Sequence, residues 1–423
     1  MKKPLIPHGA LSCLILMSAT GSCGVAVAAQ GITGDWNGAR ERLASDGIEL
    51  DMGYTVEAAR NLSSGLRHTS AHAGQLSASG QFDLQRLWGW EGTRAAASLS
   101  LRDGHNLTER AGLGSLLQNQ EIYGRGNIAR LGSLWLAKQS ADGQFDLKLG
   151  RVSAGDDFNA LDCIAMNLAL CGSQPAVFGG DYWFNSPLSQ WGGVFTWRPV
   201  QEVYVRAGAY QVNPRYADTH GGGLRFAPSG TVGTLTPLEL GWEPTFDGRS
   251  GHYAVGGWYS SARRADAVQR FPVEGMSQQQ ELRTGAYGGW ASAQQQLTRG
   301  SGANERSGLR GQVAFAQGDR RTGDIDQMFN VQLIQTGLMH TRPDDRIGIG
   351  LATTRVNPRA ARSGQEGVGT AFARREHMAE VFYGWKPLVG VDLQPGIQFV
   401  RHPGGFTARK DAVVVGMKAD VRF

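Results

Sequence analysis

Apolar and polar side chains alternate along the chain from Ile48 to its last residue. In the first stretch, six apolar side chains share one face of an extended strand: Ile48, Leu50, Met52, Tyr54, Val56 and Ala58. The charged and polar side chains between Glu49 and Glu57 share the other face. A period of two residues predicts a β-strand with two different faces.

The same alternation recurs in further segments that continue to the end of the chain. Their centres lie near residues 80, 97, 133, 147, 194, 206, 239, 256, 291, 313, 332, 350, 382, 395 and 418. The chain is therefore predicted to form sixteen strands, and an even number lets a single-chain sheet close antiparallel on itself.

The predicted connections alternate between long and short. The long ones are 59–73, 102–127, 151–189, 211–234, 261–284, 318–327, 355–377 and 400–412. Short links such as 138–143, 199–201 and 386–390 lie between them. Long loops at one end of the strands and short turns at the other are typical of bacterial outer-membrane barrels.

Charge separates a membrane barrel from a soluble β-sandwich. With every strand in its apolar phase, we expect no charged residue on the apolar face, whereas the opposite face carries many, Arg94, Lys138 and Glu380 among them. A sandwich would also hide an apolar face, but it has no need of alternating loop lengths. We therefore predict an all-β fold, a 16-stranded antiparallel transmembrane β-barrel (outer-membrane porin) with a short N-terminal periplasmic helix.

Aromatic side chains are predicted to form two belts on the outer face of this barrel. At the short-turn ends we place Trp197, Trp242, Trp385 and Phe423, and at the long-loop ends Trp191 and Tyr259. Amphipathic rings at both rims anchor a barrel between lipid headgroups. Phe423 ends the last alternating strand, so we expect the barrel-assembly machinery to recognise it.

The start of the chain indicates export. A basic Met1–Lys3 precedes an apolar stretch, and Ala26-Val27-Ala28 offers the small residues of a cleavage site, which predicts a signal peptide over 1–28. Cys23 raises a lipoprotein site as the alternative. Residues 29–47 are expected to form an N-terminal periplasmic helical segment capped by Asp35, and 48–423 the barrel.

Composition supports this class of protein. The chain has 60 Gly among 423 residues and only 19% charged residues, which is unusual for a globular enzyme of this size. Beyond the signal, no apolar run reaches the length of a transmembrane helix. Without Lys2 and Lys3, 40 basic residues face 37 acidic ones, so we expect no nucleic-acid partner.

Two cysteines remain in the predicted mature chain, and both lie in the 151–189 connection. Cys163 and Cys171 are eight residues apart, and an oxidising compartment favours a disulfide between them. A metal site is the alternative, but no histidine lies near enough in sequence to complete a ligand set. We therefore expect no metal and no cofactor.

Four stretches carry a resemblance to a known family. They are ITGDWNGARERLASDGIEL at Ile32–Leu50, LKLGRVSAGDDF at Leu147–Phe158, SPLSQWGG at Ser186–Gly193 and LELGWEP at Leu238–Pro244. With these stretches the mature chain resembles the OprB-type carbohydrate-selective porins over almost its whole length. The cysteine pair after GDDF also matches that family. The resemblance implies passive diffusion of glucose-like monosaccharides across the outer membrane of a Gram-negative bacterium.

The sequence also defines candidate pore residues. A sixteen-stranded barrel is too wide for side chains to fill, so selectivity requires an inward-folded loop, for which we choose 151–189 with Asp156, Asp157 and Trp183 at the constriction. The expected substrate-facing and pore-lining residues are Glu49, Asp51, Asp83, Arg94, Lys148, Arg206, Trp258 and Trp290. Acidic side chains dominate the first two strands and basic ones dominate strands three to seven.

Two other functions stay open at this point. A general or anion-selective porin would have the same fold. An outer-membrane barrel enzyme is the third reading, although the chain contains neither His-Glu-x-x-His nor Gly-x-Ser-x-Gly. The expected partners are small neutral sugars, outer-membrane lipid and lipopolysaccharide, the assembly machinery, and further copies of the chain if it forms a homotrimer.

Overall fold

The computed structural model describes residues 31–63, 67–180, 182–267, 281–300, 307–360 and 374–423. Sixteen long strands form one barrel and are numbered in chain order. Their bounds are β1 Ile48–Asn61, β2 Ser70–Asp83, β3 Thr93–Gly104, β4 Ala129–Gln139, β5 Phe145–Val152, β6 Gln190–Val200, β7 Val203–Val212, β8 Gly233–Trp242, β9 Arg249–Ser260, β10 Ala286–Gln296, β11 Gly308–Gln317, β12 Ile325–Thr336, β13 Arg346–Val356, β14 Arg375–Leu388, β15 Val391–Arg401 and β16 Ala412–Arg422. Two-residue strands at Thr245–Phe246, Arg264–Ala265 and Leu282–Arg283 lie in the connections.

The barrel is closed. Each strand pairs antiparallel with the next, and β1 pairs antiparallel with β16 from Gly53 opposite Arg422 to Asn61 opposite Val414. Every predicted strand is present, and the predicted phase of β1 is confirmed, because Leu50 and Met52 are exposed on the outside while Glu57 is buried inside. The 59–73 connection is shorter than predicted, since β1 and β2 continue to Asn61 and from Ser70.

The outside of the barrel is an apolar band with aromatic rims. Large apolar side chains at alternate positions of the strands are exposed, for example Leu136, Val255 and Leu351. The aromatic side chains predicted for the rims are exposed there as well: Trp191, Trp197, Trp242, Tyr259 and Trp385. Such a surface is stable only when lipid covers it.

The prediction that the outer face carries no charge is wrong at the rims. Ser98 pairs with Ser133 but Leu99 pairs with Leu131, so Gly132 forms a bulge that changes the phase of β4. As a result, Lys138 lies on the outer face at the short-turn end, where it is exposed. At the long-loop end, β13 to β15 extend further than predicted and bring three arginines onto the outer face: Arg355, Arg375 and Arg401.

The described helices are short. The α-helices are Ala39–Ser45, Leu84–Trp88, Leu107–Arg110, Ala154–Asp157 and Pro175–Gly179, and the 3-10 turns are Leu168–Leu170, Pro214–Ala217 and Pro403–Gly405. None of the helices in the described residues has the length and apolarity needed to cross a bilayer. The predicted signal peptide lies outside the described residues.

The N-terminal helix lies against the C-terminus. It begins at Ala39, later than predicted, because Trp36, Asn37 and Gly38 all have a positive φ. The side chain of Asp35 still accepts a hydrogen bond from the amide of Glu41 at 3.2 Å. Arg40 donates to the carbonyl oxygen of Phe423 at 2.5 Å, so the helix is held at the short-turn end where the barrel closes.

We predict that Phe423→Ala lowers the amount of assembled barrel without altering transport by the barrels that do form. The amide of Phe423 donates to Met52 at 2.9 Å and its carbonyl accepts from Arg40, and both backbone contacts survive the substitution. Only the terminal ring is lost. Membrane levels and heat-modifiable migration should be measured against Met417→Ala, which removes an exposed apolar side chain from the same strand. Normal membrane levels of Phe423→Ala would contradict the prediction.

Candidate functional site: the lumen and its inward-folded connections

The connection between β5 and β6, residues 153–189, crosses the lumen to the opposite wall. The backbone amides of Met166 and Asn167 donate to the two carboxylate oxygens of Glu380 on β14, at 2.8 and 2.9 Å. Gln332 on β12 donates to the carbonyl of Leu170 at 2.8 Å. Buried polar groups of the wall thus satisfy backbone groups that the connection would otherwise leave without partners.

An aromatic cluster holds the same connection against β9 and β10. Trp183 packs edge-to-face on Trp290 with ring centroids 5.5 Å apart, and Phe158 packs on both rings at 6.5 Å. Tyr182 packs on Trp258 at 5.6 Å. Aromatic pairs at such distances add stability beyond the burial of their area. The cluster gives the apolar side chains of this connection a place to pack inside a lumen that is otherwise polar.

The cluster corrects two expectations about the pore wall. Trp258 and Trp290 point inward as predicted, but they are only 5% and 3% exposed because the connection covers them. Trp183 is buried in the same cluster and does not border open water. These three rings therefore pack against the connection and hold it in place. They present no exposed ring face to the open lumen.

A charged network fixes the start of the connection to β5, β7 and β8. Lys148 pairs with Asp157 at 2.5 Å, and Arg206 donates to the carbonyl of Asp157. Arg206 also pairs with Glu239 at 3.8 Å. Arg206 is 5% exposed, so the expectation that it meets the substrate is corrected: it lies beneath the connection and anchors it.

Glu239 is the centre of this network. Its carboxylate accepts from the amide of Asn159 at 2.7 Å, from the Trp290 indole at 2.8 Å and from the Tyr204 hydroxyl at 2.9 Å.

Asp156, on the connection between β5 and β6, is half-buried. Burial, reinforced by the charge of Asp157, raises the pKa of Asp156 to about 7. A part of the Asp156 population is therefore uncharged at neutral pH.

A second connection, for which the sequence predicts no inward fold, also enters the lumen. It joins β3 to β4 and occupies residues 105–128. Asn119 donates to Gln398 on β15 at 2.6 Å, and Glu121 pairs with Lys418 on β16 at 2.9 Å. Its fully buried leucines, Leu107 and Leu113, were the available signal, because a solvated loop has no use for them.

The two inward connections bind each other. The amide of Glu121 donates to the carbonyl of Met166 at 2.9 Å, and the amide of Leu168 donates to the carbonyl of Gln118 at 3.0 Å. The lumen is thus narrowed by one joint obstruction built from both connections. The predicted constriction loop, 151–189, forms only one half of this obstruction.

The disulfide between Cys163 and Cys171 is present. It closes the stretch that carries Met166 and Asn167, the residues whose amides bind Glu380. The carboxylate of Glu121 lies within 4.8 Å of both sulfur atoms, which is a geometry that a metal site could use. Because the two sulfurs are bonded to each other, neither can act as a thiolate ligand. The predicted disulfide is therefore confirmed over the alternative metal site.

One arc of the wall, from β2 to β5, remains only partly covered. Trp135 on β4 faces the lumen here because the Gly132 bulge turns it inward, and the ammonium of Lys148 lies 5.5 Å from its ring. Trp135 is not among the pore-lining residues predicted from the sequence. On β2, four uncharged polar side chains in a row face inward and are half-exposed: Gln75, Ser77, Ser79 and Gln81. We call this row the β2 polar ladder.

The remaining predicted pore residues lie near the short-turn mouth. Glu49 and Asp51 are exposed on the lumen face of β1. Arg94 pairs with Asp146 at 2.5 Å. Asp83 shares the face of β2 that carries Gln81, and its carboxylate also caps the helix Leu84–Trp88 by accepting from the amides of Gln85 and Arg86. Its place among the pore-lining residues stays a prediction.

A closed sixteen-stranded barrel with an apolar outer band and a narrowed polar lumen is an outer-membrane porin. Residues 67–423 match the carbohydrate-selective porin, OprB family, and the chain belongs to that family. This places the protein among channels rather than enzymes.

Individual relatives agree with the family. The chain is 32% identical over 445 residues to Porin B of Pseudomonas aeruginosa, covering 98% of this chain and 97% of the relative. It is 32% identical over 421 residues to the putative porin QuiX of Acinetobacter baylyi, covering 93% of each. The high-pH structure of Pseudomonas putida OprB has a TM-score of 0.88 at 30% identity, covering 93% of this chain and 99% of that one.

We predict that Arg206→Ala or Trp290→Ala raises the open-channel conductance, because each removes an anchor of the 153–189 connection. Both residues lie in the lumen wall, so barrel assembly should persist as judged by heat-modifiable migration. Single-channel recording measures the effect. Arg310→Ala is the matched control. Arg310 faces the lumen on β11, and its side chain forms no hydrogen bond or ion pair within the described residues. An unchanged conductance in both anchor variants would rule out this role.

We predict that Cys163→Ser with Cys171→Ser increases current fluctuations in single channels while the barrel still assembles. Without the bond, the stretch between the two positions gains conformational freedom, and the amides that bind Glu380 are held less firmly. Treatment of the unchanged protein with a reductant should reproduce the effect. Mass spectrometry without reduction should find the two cysteines linked in the unchanged protein, and two free thiols would contradict the assignment.

Proposed function

We propose that the channel passes small neutral sugars, glucose-like monosaccharides in particular, by passive diffusion into the periplasm. The observation that carries the proposal is the contrast between paired charges and free neutral groups in the lumen. Several charged side chains that face the lumen are paired with opposite charges: Arg94 with Asp146, Lys148 with Asp157, Arg206 with Glu239, Arg346 with Asp392, and Lys418 with Glu57 and Glu121.

Paired charges give little attraction to a free ion. An anion-selective pore needs an excess of unpaired positive charge at its narrowest part, because the field must concentrate anions and repel cations. The ion pairs at the covered part of the wall neutralise that field locally. This supports a neutral solute over the anion-selective alternative.

The β2 polar ladder supplies what a sugar needs instead. Its members lie two residues apart, about 6.6 Å along the strand, so a hydroxyl-rich solute meets a new hydrogen-bonding group before it leaves the last one. Each such bond contributes on the order of 1 kcal/mol, which is weak enough for release. The side chains of Ser79 and Gln81 form no hydrogen bond with other described residues and are open to a ligand or to water.

Trp135 adds the apolar surface. The carbon face of a pyranose ring packs on an aromatic ring, and the hydroxyls at the rim then need polar neighbours. Lys148, 5.5 Å from the Trp135 ring, and the serine pair Ser98–Ser133, joined at 2.9 Å, provide them. The family description, carbohydrate-selective porin, supports the same class of substrate.

Conductance in planar bilayers tests the proposal. Glucose should reduce the single-channel current in a concentration-dependent way, and the reversal potential in a salt gradient should stay near zero. A strong anion preference together with no response to glucose would favour the general or anion-selective porin and reject the proposal.

We predict that Trp135→Ala weakens the block by glucose about tenfold, since losing one aromatic contact costs roughly 1.4 kcal/mol or less for a solvated ring. The measurement is the glucose concentration that halves the current. Leu136→Ala is the control, because Leu136 is the next residue on β4 and is exposed on the outer face. Equal block in Trp135→Ala, Leu136→Ala and the unchanged channel would remove Trp135 from the sugar path.

A further inference from the structure

A row of basic side chains lies on the lipid-facing side of β13 to β15, at their long-loop ends. It comprises Arg355, Arg375, His377 and Arg401, and we call it the outer-rim basic patch. Arg355 is paired with Arg375 across β13 and β14, and His377 is paired with Arg401 across β14 and β15. Residues paired in register share a face, and this face is the one that also carries Leu351, Val381 and Phe399.

The patch lies immediately above the apolar band. Phe399 lies one outward position closer to the centre of the membrane than Arg401, Leu351 lies two outward positions closer than Arg355, and both side chains are exposed. One such step is about 6.6 Å along a strand. The basic groups therefore lie at the level where the hydrocarbon of the outer leaflet ends and its headgroups begin.

The charges of the patch are incompletely neutralised. Asp326 holds Arg355 through both carboxylate oxygens, at 2.8 and 2.7 Å, and also pairs with Arg320 at 2.8 Å. Among the described residues, the Arg375 side chain donates only to the amide oxygen of Gln327, at 3.2 Å, and Arg401 has no ion pair. Like charges directly opposite each other on paired strands destabilise a sheet. An external anion would remove that cost.

We infer that the outer-rim basic patch binds the phosphate groups of lipopolysaccharide in the outer leaflet. Guanidinium groups match phosphate oxygens in a two-pronged hydrogen-bonding geometry, which a lysine cannot offer. The acyl chains of the same lipid would cover the apolar side chains directly below. The anionic headgroup of this lipid thus matches the arginines, and its apolar acyl chains match the apolar band below them.

In the part of the chain that the structure describes, the opposite rim has no such row of arginines on its outer face. On the outer face at the short-turn end, the exposed Lys138 donates to a backbone carbonyl at Glu91. This difference between the two ends of the barrel fits a membrane whose two leaflets carry different lipids. It also provides a control position on the same barrel.

Lys386, near the short-turn end of β14, is a second exposed lysine at that end of the barrel. The test compares Arg375→Gln/Arg401→Gln with Lys138→Gln/Lys386→Gln, both as full-length barrels in detergent. Each is titrated with purified lipopolysaccharide, with lipid A whose phosphates have been removed, and with phosphatidylglycerol. Bound lipid per barrel and the midpoint of thermal unfolding are measured. Single-channel conductance is recorded as a check on folding, and it should stay unchanged because the patch faces away from the lumen.

We expect lipopolysaccharide to bind the unchanged barrel and the Lys138→Gln/Lys386→Gln barrel with equal affinity. The Arg375→Gln/Arg401→Gln barrel should bind it roughly tenfold more weakly. Dephosphorylated lipid A should give no thermal shift beyond that of the detergent. Equal binding by all three barrels would overturn the inference. It would also fail if phosphatidylglycerol matched lipopolysaccharide, or if the arginine substitutions changed the oligomeric state, because the patch would then bind any anionic lipid or a second copy of the chain.

Discussion

The pairing of β1 with β16 is the constraint on which the rest of the structure depends. Inside a bilayer, no water is available to bind backbone groups, so a sheet crosses only if its two edge strands bond to each other. Closure at sixteen strands then fixes the width of the lumen, and that width exceeds what side chains alone can fill. The narrowing of the pore must come from the connections.

Buried carboxylates solve the problem that inward connections create. Irregular backbone in a lumen carries amides and carbonyls without strand partners, and each costs free energy if it stays unbonded. Glu239, Glu376 and Glu380 project from the wall and accept hydrogen bonds from backbone amides of the connections. The carboxylates that lie beneath a connection therefore act as structural hydrogen-bond acceptors, whereas charged residues such as Glu49 and Asp51 are exposed to the open lumen.

The sequence predicts the barrel well because lipid acts on every strand in the same way. An apolar side chain at each second position is a local requirement, so strand number and outer-face residues such as Leu50 and Trp242 can be read directly. The Gly132 bulge cannot be predicted from the alternation, because the phase of β4 changes within the strand and turns Trp135 inward. The candidate site is harder still. Which inward residues are covered depends on contacts such as that of Met166 with Glu380, 214 positions apart, and no local pattern records them.

The ends of the chain meet at the seam of the barrel. The amide of Ile32 donates to the carbonyl of Arg422 at 2.8 Å, and Arg40 reaches the carbonyl of Phe423. The first and last parts of the barrel to emerge during synthesis and export are thus neighbours in the finished ring. Because these strands lie at opposite ends of the sequence, the loop-closure entropy of the whole chain must be overcome before their ladder forms. Until then two open sheet edges persist, and the nascent barrel depends on being shielded from pairing with other chains.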